Sequence, residues 1–197
     1  MREDPTPPRP PLDVRALYPQ IDQIADTRLR EQVEAVWQAL WAQSRWTAFD
    51  DLPASDEIPY PARRHSQGVL ATALAIGEQL QRVHGTVIDF DLLIAAGILQ
   101  DASKVVEYDP GPDAAPVRSE IGRSFPHAFW CAHVGLAHGL PLALCHILVT
   151  HSPGSAQFPQ SIEGKILYYA DQINVIAVTG DRWVKHLMLE RGPAVRR

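Results

Sequence analysis

Cysteine is scarce in this sequence: Cys131 and Cys145 are the only two. That excludes a disulfide framework and fits a reducing compartment, with both thiols acting as small buried hydrophobes. Long apolar runs are missing as well, and none approaches the roughly 18 to 20 residues of a membrane span. The start, Met1-Arg2-Glu3-Asp4-Pro5, has neither the basic beginning nor the apolar stretch of a signal peptide. The expectation is a cytoplasmic protein with no membrane partner. Positive charge is short too. With 18 Lys and Arg against 23 Asp and Glu the formal net charge is -5, and no basic run offers a face for a nucleic-acid backbone. A small anionic substrate stays compatible, because a local metal or lysine can dominate the field of a pocket. No strand alternation is long enough to count; Val87-Ile88 is too short.

What is present is an ordinary globular composition, 46% apolar and 21% charged over 197 residues, which suits one domain. A chain of this length buries roughly two thirds or more of the surface its unfolded form exposes, so it needs no staples. Prolines 5, 7, 8, 10 and 11 block helix and define an N-terminal arm over residues 1–20; residues 21–197 form the domain. Apolar residues at three- and four-residue steps predict a helix over 26–46, with Leu29, Val33, Val36, Trp37, Leu40 and Trp41 inward. A second runs from Ala62 to about His84 and stops at Gly85. The third, Asp89 to Gln100, is apolar nearly all round and is predicted to be the central helix. Tyr108 to Pro126 reads as a long irregular stretch, a candidate lid. Helices follow over 127–138, 142–150 and 162–178, with a short one over 181–190. The fold class is all-α, a single-domain helical bundle.

Asp101 and Lys104 directly follow the most apolar helix, where a polar pair costs free energy unless partnered. His65, Asp101, His127, His151 and Asp171 lie within helices or at their ends, and imidazole with carboxylate suits zinc, iron, manganese or similar divalent ions. Helix bundles build metal sites from ligands on several helices. Periodicity alone does not select these from eight histidines. His84 suits a helix C-terminus, His186 reads as surface, and His133, His138 and His146 flank the candidates.

The selection comes from a resemblance. Leu93-Ile94-Ala95-Ala96-Gly97-Ile98-Leu99-Gln100-Asp101-Ala102-Ser103-Lys104 is similar to the signature of the HD-domain superfamily, in which an apolar helix ends in His-Asp with a lysine three residues on. Arg64-His65-Ser66, Phe125-Pro126-His127, Ile147-Leu148-Val149-Thr150-His151 and Ile166-Leu167-Tyr168-Tyr169-Ala170-Asp171 resemble the family's other ligand segments, over about residues 60 to 180. The resemblance implies an HD-like helical bundle with metal ligands His65, Asp101, His127, His151 and Asp171, and a catalytic role for Asp101 and Lys104. In the family, the paired histidine helps hold a first metal with the residues matching His65, Asp101 and Asp171. The aspartate bridges to a second metal at the positions of His127 and His151. Here that paired histidine is Gln100, a neutral amide and a far poorer ligand. Gln100, Lys104, Arg118 and Arg123 are the candidate substrate contacts, the two arginines because they sit in the lid stretch.

Three functions follow as expectations. The first is a metal-dependent hydrolase of a small molecule, such as a phosphate ester or nucleotide. The others are a degenerate, non-catalytic HD-type binding module and an HD-like iron oxygenase. Homodimerisation through the Trp-bearing or terminal helix is a further expectation.

Overall fold

The computed structural model describes residues 10–55, 60–112 and 115–179. The predicted helix over 181–190 and the arm before residue 10 lie outside these. Among the described residues the fold is all-α apart from one small hairpin.

Folding begins earlier than proline content implies. After Pro11, helix α1 (Val14–Leu17) and a 3-10 turn (Pro19–Gln23) bury Val14, Leu17, Tyr18 and Ile21, all but the last within the stretch expected to be arm. The Tyr18 hydroxyl meets Ser66 Oγ at 2.7 Å in the core. Helix α2 (Thr27–Gln43) starts where the Asp26 carboxylate accepts from the Arg28 and Leu29 amides, and it buries the predicted Leu29-to-Trp41 stripe. Trp37 donates its indole N–H to Ile98 O at 3.2 Å, tying α2 to the central helix.

Helix α3 (Ala62–His84) ends at Gly85, whose φ of 64° is the left-handed conformation that favours glycine. Helix α4 (Phe90–Leu99) is capped by the Asp89 side chain and buries every residue from Leu93 to Leu99. As its all-round apolarity requires, it is the hub, packed against α2, α3, α8 (Leu142–Thr150) and α9 (Ile162–Thr179). Helix α9 lies along α3, where Asn174 Nδ2 donates to Thr72 Oγ1 at 3.0 Å. Helix α7 (His127–Ala137) pairs with α8 across the turn at Gly139.

The described part of the stretch expected to be irregular carries regular structure. After the one-turn helix α5 (Lys104–Glu107), strands β1 (Tyr108–Pro110) and β2 (Pro116–Arg118) pair antiparallel, with Tyr108 opposite Arg118. Helix α6 (Glu120–Ser124) follows, its Gly122 amide capped by Ser119 Oγ. Three-residue strands flanked by proline carry no readable alternation, so only long-range pairing defines them.

Candidate metal centre

Each candidate ligand reaches the site from a different element. His65 stands in the first turn of α3, and Asp101 in the tight turn between α4 and α5. His127 opens α7, His151 closes α8, and Asp171 lies in α9. All five line one cavity of about 280 Å³, with Lys104 and Arg118 also on its wall.

The two oxygens of Asp101 divide the cluster. Oδ1 is 3.4 Å from His127 Nε2 and 3.8 Å from His151 Nε2, and those two nitrogens are 3.4 Å apart. Oδ2 is 3.0 Å from Lys104 Nζ and 3.5 Å from His65 Nε2. His65 Nε2 in turn lies 3.0 Å from Asp171 Oδ1, while Asp171 Oδ2 accepts from Gln172 Nε2.

The first of these groups has the spacing of a metal site. Donors at about 2.1 Å from a common ion in tetrahedral array stand about 3.4 Å from one another. Asp101, His127 and His151 are close enough to bind one, and two imidazoles with a carboxylate form a donor set suited to zinc, iron or manganese. His151 is oriented for this: its Nδ1 lies 2.7 Å from Leu148 O, and a proton donated there leaves Nε2 to face Asp101.

Electrostatics tie the cluster together. Burial works to raise the pKa of Asp101. The Lys104 ammonium, the His151 ring and the His65 and His127 rings outweigh it and hold the carboxyl well below the usual carboxylate range. For His151, burial disfavours charge, yet the bond and charge of Asp101, with Asp171 behind, raise its pKa above the ordinary imidazole value.

Two expected substrate contacts are placed elsewhere. Gln100 is wholly buried, does not line the cavity, and has no hydrogen-bond partner for either amide atom among the described residues. It caps α4 and is buried directly before Asp101. Arg123 is exposed and donates to Arg118 O at 2.6 Å, shoring up the hairpin from outside the cavity. Glu107, which the sequence reading passed over, does face the site. It is 4% exposed, with Oε1 3.0 Å from Arg118 and Oε2 3.3 Å from His127 Nδ1. The available signal was an acid directly after the apolar Val105-Val106 pair, where a carboxylate is buried and needs partners.

No family model and no solved structure matches the chain. Over 127 residues, 58% of its length, it is 31% identical to the dihydroneopterin 2',3'-cyclic phosphate phosphodiesterase of Methanocaldococcus jannaschii. The match spans 47% of that protein, so the chain covers about half the length of this curated relative. In class, then, this is an all-helical chain with a candidate metal-ligand triad. It is a distant homologue of a phosphodiesterase.

Proposed function

We propose that the chain is a metal-dependent phosphoester hydrolase of the HD-domain type, acting on a small molecule. The observation that carries this is the Asp101–His127–His151 triad, set at ligand spacing in the wall of a cavity that also presents Lys104. A homologue that acts on a cyclic phosphate gives the reading its reaction class.

Asp101, His127 and His151 would hold the ion. A divalent ion in such a site supplies Lewis acidity and lowers the pKa of water toward about 7. Lys104 keeps its ammonium at the cavity wall, anchored on Asp101, where it offsets negative charge gathering on a phosphoryl group. His65 Nε2, 3.0 Å from Asp171 Oδ1 and 3.5 Å from Asp101 Oδ2, supports Asp101 from that side. With Gln100 absent from the cavity, the His65 side lacks the imidazole a second ion needs, so the chain takes one ion. Arg118, on the same wall, contributes positive charge toward an anionic substrate.

The test is elemental analysis of protein purified without chelator, followed by hydrolysis of a chromogenic phosphodiester. About one ion per chain, with turnover lost in His151→Ala and on chelation, is the expected result. Gln100 also favours a second reading, a binding module without turnover. An empty parent protein that fills only as Gln100→His would replace the first reading with the second.

A further inference from the structure

We propose that Glu107, clamped by Arg118, is a positioning residue that fixes the His127 ring for metal binding; this rests on the metal-site reading above. His127 exposes two ring nitrogens to two carboxylates. Nε2 faces Asp101 Oδ1 at 3.4 Å, and Nδ1 faces Glu107 Oε2 at 3.3 Å. An imidazole ligates through a lone pair, so the proton must sit on the other nitrogen. Glu107 Oε2 is buried and accepts no hydrogen bond with the ring as placed. A proton on Nδ1, brought into line by a small turn of the ring, gives that buried oxygen a donor across the 3.3 Å contact and leaves Nε2 bare for the ion.

The carboxylate is itself held. Its other oxygen accepts from Arg118 at 3.0 Å, and Arg118 is fixed by a 3.3 Å hydrogen bond to Gly122 O and stacks its guanidinium over the Tyr108 ring at 5.4 Å. The backbone of Glu107 is pinned too, since its carbonyl accepts from Ser119 N at 2.9 Å. The hairpin and α6 thus act as a bracket whose point of action is a single imidazole nitrogen. His151 reaches the same end with a backbone acceptor, Leu148 O. His127 opens its helix and has no preceding turn to supply one, so a side chain from α5 does it.

Zn2+ affinity, read by competition with a chromophoric chelator, tests the role without reference to turnover. Glu107→Met keeps the volume and removes the acceptor; it is expected to weaken Zn2+ binding about 10- to 100-fold, the usual cost of losing a group that orients a ligating histidine. Combining Glu107→Gln with Arg118→Met restores an amide oxygen with no cation competing for it. This pair is expected to bind more tightly than Glu107→Met. In Zn2+-loaded wild type, 15N shifts should place the His127 proton on Nδ1, a readout that survives if a variant fails to fold. Wild-type affinity in Glu107→Met, no recovery in the double variant, or a proton on Nε2 each overturns the role of Glu107. Wild-type protein that takes up no Zn2+ overturns the metal-site reading first, and this one with it.

Discussion

Asp101 presents a different oxygen to each half of the cluster, and its neighbours depend on its charge. The raised pKa of His151 carries a signed consequence. A group whose folded pKa lies above its unfolded value of about 6.5 stabilises the fold below that value, and the contribution is lost as pH rises through the folded pKa. A divalent ion competes with that same proton at Nε2. The gain in melting temperature from added Mn2+ over chelator should therefore widen from about pH 6 to pH 8. The gain should vanish in His151→Ala, and a pH-independent gain would show that His151 is not a ligand. Gln100 supports the opposite kind of prediction. Both of its amide atoms are buried without a partner among the described residues, and replacing such a group by an apolar one of similar shape is nearly neutral or stabilising. Gln100→Met should hold or raise the denaturant midpoint and leave metal content unchanged.

Among the elements, the tightest joint is between α5 and α6. A Cβ on Gly122 would stand 2.1 Å from Glu107 O, a backbone atom that cannot swing aside. Gly122→Ala should cost about 1–3 kcal/mol in chemical denaturation. Between α2 and α4, Trp37→Ala removes a buried indole and its bond to Ile98 O, with an expected loss of about 3–5 kcal/mol. The sequence made these regions legible to different degrees. Helices α2, α3, α4, α7, α8 and α9 announce themselves because each carries a sustained apolar stripe or run and a stop signal such as Gly85. The candidate ligands His65, Asp101, His127, His151 and Asp171 stand out once a family pattern is applied, and all five line one cavity. The hairpin and Glu107 were not legible. Pairing of Tyr108 with Arg118, and the approach of Glu107 to His127, are made by chain segments 10 and 20 residues apart whose local sequence holds no periodicity.

At the scale of the molecule, the proposed site joins the start of α7, the end of α8 and the turn after α4, so an ion there clamps segments distant in sequence. Binding only to the folded state stabilises it by about 2.7 kcal/mol when free ion is 100 times Kd, and chelation should reverse the gain in a melting curve. No helix among the described residues is long and apolar enough to cross a membrane. Within the hydrophobic core, Cys131 sits on α7 with its thiol 3.1 Å from Leu99 O at the end of α4, fully buried and with its pKa pushed up by that burial. Such a sulfur reacts only when α7 lifts away from α4. The chain thus carries its own clock for that opening: the slow modification of one thiol, paced by how often the two helices part, and slowed further by anything that bolts Asp101 to His127.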